Sequence, residues 1–209
     1  MNAYAQPMPF ASRAQFVDRL LSWCEEVGNT RYNDTVSQAD HALQAAWLGR
    51  TADAPPAQVV AALFHDIGHL LIDEHRGREN FLRDDGQHEL VGATWLATAF
   101  PEAVAAPVRL HVAAKRWLCA REPGYWGKLS KASQHSLALQ GGAMTPDEAA
   151  RFEDQPYWRE AVDLRHWDDG AKIPGLSVPG FADYRVMVLM LLQEPGSSFA
   201  APIGASRGR

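Results

Sequence analysis

Apolar positions recur at steps of three and four along most of the chain, the spacing of helices that bury one face. Phe16, Leu20, Leu21 and Trp23 predict a first helix over 12–27, and Gly28 stops it as a C-terminal glycine does. Residues before it are weakly patterned and read as a loose arm, and a polar loop over 29–34 follows it. Ser37 reads as the cap of a second helix, with Asp40 three residues on, and Leu43, Ala46, Trp47 and Leu48 carry it to Gly49. Pro55 and Pro56 open a third at its first turn, expected to run unbroken to about Leu71. Beyond a charged interval, 73–86, helices are predicted over 87–100, over 104–120 and over 128–140, the last closed by Gly141 and Gly142. Thr145-Pro146-Asp147-Glu148 is a strong helix start, Pro156 begins a helix that reaches Trp167, and 181–192 is the final one. No stretch alternates as a strand does, and no segment repeats. The pattern predicts an all-α fold in one domain, with an arm and helix over 1–30, a helical core over 31–193 and a flexible tail over 194–209.

Composition narrows the function classes. A chain of 209 residues, 46% hydrophobic and 22% charged, suits one globular domain with a substantial core. Lys plus Arg number 20 against 25 Asp plus Glu, and no basic face stands out, which argues against a nucleic-acid partner. Cys24 and Cys119 form neither a disulfide framework nor a zinc spacing, so a reducing cytoplasm is the economical expectation. No signal layout and no membrane-length apolar run is present, so no membrane partner is expected.

Chemistry enters at Ala62-Leu63-Phe64-His65-Asp66-Ile67-Gly68-His69. On a continuous helix His65 and Asp66 fan out by about 100°, and His69 returns to the face of His65. A carboxylate among apolar neighbours is costly unless it is paired or holds a metal. His41, His88 and His111 also fall in or beside helical segments, and Asp168 can join them. Imidazole plus carboxylate without thiolate suits iron, zinc or manganese in a reactive rather than a structural role. Six ligands exceed what one catalytic ion needs and fit two ions sharing a bridging carboxylate, for which Asp66 is the natural choice. Cations are phased to the same positions: Lys115 follows His111 by four, Lys172 follows Asp168 by four, and Arg165 precedes Asp168 by three.

The order His…HisAsp…His…His…Asp resembles the HD-domain superfamily, an all-helical metal-binding bundle, over about residues 30–190. Three segments are similar to its mixed-valent diiron oxygenases, the group of inositol oxygenase and the phosphonate-cleaving oxygenases. They are Val36-Ser37-Gln38-Ala39-Asp40-His41-Ala42-Leu43-Gln44, Ser130-Lys131-Ala132-Ser133-Gln134-His135-Ser136-Leu137-Ala138-Leu139-Gln140-Gly141-Gly142 and Arg165-His166-Trp167-Asp168-Asp169-Gly170-Ala171-Lys172. The resemblance implies two iron ions, Fe(II)/Fe(III) in the active form, on His41, His65, Asp66, His88, His111 and Asp168, with Tyr32 capping one of them. The spacing to Lys172 favours Asp168 over Asp169, which stays an alternative. It further implies that His69, Lys115, Ser133, Arg165 and Lys172 hold a phosphonate; Ser130 and Ser136 flank Ser133 by one turn.

In the phosphonate group the loop before the first ligand also supplies an acid for the substrate's amine, and Asp34 is the matching residue. Tyr32 stands one position away from the relatives' tyrosine, and Asp34 falls where those cleaving a primary amine have Glu. The shorter acid leaves room for a quaternary ammonium. The implied reaction is O2-dependent C–P cleavage of 1-hydroxy-2-(trimethylammonio)ethylphosphonate to glycine betaine and phosphate. The alternatives are the same chemistry on 2-amino-1-hydroxyethylphosphonate giving glycine, a dinuclear HD phosphohydrolase, an inositol-type oxygenase and a degenerate signalling module. His135 and His166 are read as structural.

Overall fold

The computed structural model describes residues 12–29, 36–72 and 87–193, together with the backbone of 5–7 and 200–202; Tyr32 and Asp34 lie outside the described residues. Helix starts follow the local chemistry. Ser12 caps α1 (Arg13–Gly28), its hydroxyl accepting the Gln15 N–H. Ser37 caps α2 (Gln38–Thr51), accepting the Asp40 N–H at 3.0 Å and donating to the Asp40 carboxylate at 2.8 Å.

The expected third helix is two. α3 (Pro56–Leu63) ends where Phe64 leaves the helical region at φ −115°, residues 64–66 turn, and α4 (Ile67–Ile72) sets off anew. The reason is tertiary. A Cβ on Gly68 would lie 1.9 Å from the carbonyl oxygen of His88, so α4 rests directly on the main chain opening α5 (His88–Leu96). His65 and Asp66 therefore stand in a corner between helices rather than along one face.

α6 (Glu102–Arg121), the longest helix, packs against α3, α5 and the later α9 and α10. The helix expected over 128–140 begins later, as α8 (Lys131–Leu139), because Leu129 is extended and Ser130 caps it, and a separate short α7 (Tyr125–Lys128) stands before it. Thr145 and Glu148 close a reciprocal capping box at the start of α9 (Pro146–Glu153), and α10 (Trp158–Gly170) follows. A 3₁₀ turn at Phe181–Tyr184 precedes the short α11 (Arg185–Leu191). The backbone of Ala5–Pro7 pairs antiparallel with Ala200–Pro202, a ribbon that the hydrophobic pattern does not announce.

The main core gathers Phe16, Phe64, Trp95, Phe100 and Tyr184 from α1, α5 and their surroundings, all essentially inaccessible. Burial on this scale, at ~25 cal/mol per Å² of apolar surface, is the main term holding the bundle. Two smaller clusters, around Leu118 with Tyr125 and around Phe152 with Ala161, fasten α7, α9 and α10 to the far part of α6. Among the described residues no helix is long and apolar enough to cross a membrane.

Candidate metal centre

Against this apolar background twelve polar or charged residues are buried among the described residues, and the histidines and aspartates among them converge where α2, α6 and α10 meet the α3–α4 corner. Three imidazoles are aimed by the main chain. Nδ1 of His41 lies 2.7 Å from the carbonyl of Ala171, Nδ1 of His65 2.8 Å from that of Ala62, and Nδ1 of His111 2.7 Å from that of Val108. A carbonyl only accepts, so each Nδ1 carries a proton and each ring turns its Nε2 inward.

Those inward nitrogens meet in two pairs. Nε2 of His41 lies 3.1 Å from Nε2 of His65, and Nε2 of His88 lies 3.2 Å from Nε2 of His111. Two bare lone pairs at such distances repel; a proton or a metal ion between them removes the repulsion. Asp66 divides itself between the pairs. Its Oδ2 is 3.5 Å from His41 and 3.4 Å from His65, while its Oδ1 is 3.5 Å from His88 and 3.8 Å from His111. Asp168 completes the first pair with Oδ1 3.3 Å from His41; this oxygen is buried and accepts no hydrogen bond among the described residues. His69 stacks on His88 with ring centroids 3.9 Å apart and reaches Asp66 at 3.9 Å, on the side of the second pair. A buried carboxylate oxygen that makes no hydrogen bond among the described residues, beside facing imidazole nitrogens, fits metal binding, and the clusters His41–His65–Asp66 and Asp66–His69–His88 each have ligand atoms close enough for one ion.

The two halves differ in charge. Burial depresses His41, but the carboxylates of Asp168 and Asp66 outweigh it and lift the ring to about 9. Burial holds His111 down at about 4, and burial with the neighbouring His69 keeps His88 well below the ordinary imidazole range. Burial would raise Asp66 and Asp168, yet His65 and His41 around the first, and Arg165 and Lys172 around the second, keep both ionised. A metal entering beside His41 displaces a proton; one entering beside His88 and His111 meets neutral rings.

The cationic side comes from α6 and α10. Arg165, 4% exposed, donates to Asp168 and to Asp169, and its Nε also reaches the hydroxyl of Tyr125 at 3.2 Å. Tyr125 in turn donates to Asp169. Nζ of Lys172 lies 3.3 Å from both aspartates. Lys115 is buried and donates to Ser136 at 2.8 Å; burial, with Arg165 nearby, brings it down to about 8. Ser133 is buried beside Ser130, whose hydroxyl donates to it at 3.0 Å.

The geometry thus brings together His41, His65, Asp66, His88, His111, Asp168, His69, Arg165 and Lys172, while the oxygens of Asp169 are taken by Arg165 and Tyr125. His135 is exposed, and His166 lies away from the cluster, 3.9 Å from Glu122. Reading the sequence overlooked Tyr125, which buttresses Arg165, and Gln44. The Gln44 amide donates to the Ile173 carbonyl at 2.9 Å and accepts the Ile173 N–H at 3.0 Å. That clamp fixes 171–173, which carries both the carbonyl for His41 and Lys172. The only signal available was spacing, since Gln44 follows His41 by three and so shares its face.

No family model matches the chain. It is 49% identical over 177 residues to a hydroxymethylphosphonate dioxygenase of Gimesia maris, the match covering 85% of this chain and 88% of that protein. It is 35% identical over 187 residues to a 1-hydroxy-2-(trimethylamino)ethylphosphonate dioxygenase (glycine-betaine-forming) of Leisingera caerulea, covering 88% of this chain and 93% of that one.

Proposed function

The chain belongs to the phosphonate-cleaving dioxygenases, and from that premise we propose that it oxidatively splits the carbon–phosphorus bond of hydroxymethylphosphonate, using two iron ions. The observation that carries the two-metal reading is Asp66, one oxygen toward His41 and His65 and the other toward His88 and His111. Hydroxymethylphosphonate is favoured over the trimethylammonio compound because likeness to the relative named for it is greater, 49% against 35%. The betaine-forming reading rested on Asp34 and is kept as the comparison substrate.

The reaction balances without an external reductant. One 1-hydroxyphosphonate and one O2 become a carboxylate, hydrogen phosphate and a proton; C1–H and C–P break, and one oxygen atom ends on carbon and one on phosphorus. For hydroxymethylphosphonate the carboxylate is formate. An Fe(II)/Fe(III) pair would supply the redox capacity and the open positions for the C1 hydroxyl and O2. His41, His65 and Asp168 would hold one ion, His88 and His111 the other, with Asp66 between.

The rest falls to the chain's own groups. Arg165 and Lys172, set by Asp168 and Asp169, and Lys115, set by Ser136, neutralise the phosphonate dianion through charge-assisted hydrogen bonds. His69, against Asp66 and His88, and Ser133 would add further contacts to the phosphonate. Burial of Arg165 and Lys115 leaves their charge poorly screened and so strengthens their hold on the anion.

The test is phosphate release from hydroxymethylphosphonate by iron-loaded protein, in air and under anaerobic conditions, with the trimethylammonio compound alongside. Release of phosphate and formate in air only is expected. Equal release without O2 sinks the oxygenase reading in favour of a phosphohydrolase.

A further inference from the structure

A cavity of about 20 Å³ lies between α1, α2 and the α3–α4 corner, bounded by Cys24, Ala42, Phe64, Ile67 and Leu70 and by Asp66. Its walls run from half-buried Ala42 and Leu70 to buried Phe64 and Asp66. None of Arg165, Lys172, Lys115 or the four paired histidines lines it. Asp66 therefore borders two chemically different spaces, one cationic and one mostly apolar.

Size decides what the apolar side admits. A water-sized molecule needs on the order of 10–15 Å³ of such space, so the cavity holds a diatomic or a water and excludes a phosphonate or a trimethylammonium group. Polarity admits both. The apolar stretch of wall suits a small apolar gas, and a stable water needs two to four polar partners. The polar exceptions here are Asp66, a Cys24 thiol that burial keeps protonated, and the Gln38 amide, whose nitrogen has no hydrogen-bond partner among the described residues. The family's reaction consumes O2, and an anionic substrate held by Arg165 and Lys172 would obstruct the cationic side.

We propose that this cavity is the route by which dioxygen reaches the metal centre, with Ala42 at its outer edge. The proposal rests on the dioxygenase reading, and one arm of its test is independent of turnover. Crystals of the full-length protein under xenon pressure are expected to show xenon in this cavity in the parent and none there in Ala42→Phe. A xenon-free cavity, or one filled by a water bonded to Gln38, overturns the proposal whatever the enzyme's substrate is. In the second arm, iron-loaded Ala42→Val and Ala42→Phe are assayed against O2 at saturating hydroxymethylphosphonate. KM for O2 is expected to rise several-fold with Phe and less with Val, while KM for the phosphonate and the bound iron stay at parent values. An unchanged KM for O2 in both variants overturns the route. Absence of phosphate release from the parent itself would instead strike the proposed function, leaving the xenon arm to judge the cavity.

Discussion

Gly68→Ala pits two opposing effects against each other. Gly68 lies within α4, where replacing glycine by alanine ordinarily stabilises by about 1 kcal/mol through helix propensity. Here the added Cβ would stand 1.9 Å from the His88 oxygen, 2.6 Å from its carbonyl carbon and 2.9 Å from its Cα. Ordinary contact begins at 3.4 Å, and every atom in the way is main chain, so α4 and α5 must separate. Overpacking costs about 1–3 kcal/mol, with a backbone clash at the top of that range, leaving a net loss of roughly 2 kcal/mol. For a chain of this size that is about 4–8 °C in Tm. The separation also draws His88 from Asp66, and misplacement by about 1 Å can cost 10²-fold in rate. Thermal melting, iron per chain and phosphate release read the three consequences. Gly92→Ala is the graded control: its Cβ would meet Gly68 N at 3.1 Å and Ile67 Cγ2 at 3.2 Å, which a shift of a few tenths of an ångström relieves. A Gly68→Ala protein melting at or above the parent with full iron and rate would refute the claim that this close approach positions the centre.

Asp66→Asn keeps the shape but removes the shared charge, and metal analysis should find both positions depleted in a protein whose circular dichroism is unchanged; two tightly held irons would contradict the bridging role. Tyr125→Phe deletes one hydroxyl from the brace on Arg165, a loss of about 1 kcal/mol, so KM for the phosphonate should rise roughly fivefold with little change in kcat. An unaltered KM would show that Asp169 alone suffices. Lys115 sits at about 8 in the free protein, so kcat/KM should decline above pH 8 as its charge is lost, and Lys115→Arg should abolish that limb. The stability sign is the reverse. Between about 8 and the ordinary lysine range the unfolded chain binds the extra proton, so Lys115 makes folding more favourable as pH rises through this window; a fall in Tm of the parent relative to Lys115→Arg over that window would contradict it.

What the sequence displayed well was local or chemically scarce. Ser37 with Asp40, and Thr145 with Glu148, announce helix starts because the cap is a bond to the residue three positions on. The ligand order is conspicuous because buried histidines and aspartates are expensive unless used. The break at 64–66 was hidden because its cause, Gly68 against His88, lies in a contact across a segment of 19 intervening positions. Tyr125 escaped notice between Gly124 and Gly127, since its value appears only when α7 is laid against α10 and its hydroxyl meets Arg165 and Asp169.

The props behind His41, His65 and His111 are peptide carbonyls, at Ala171, Ala62 and Val108. No side-chain replacement deletes a carbonyl. A complete substitution scan would therefore register the three imidazoles, and Gln44 behind Ala171, but pass silently over the carbonyls themselves, making the centre look less supported than it is. Its outer supports can drift freely in residue type while the backbone path stays put. Weakening one of them takes chemistry on the main chain itself, such as an ester in place of the amide that carries the accepting carbonyl.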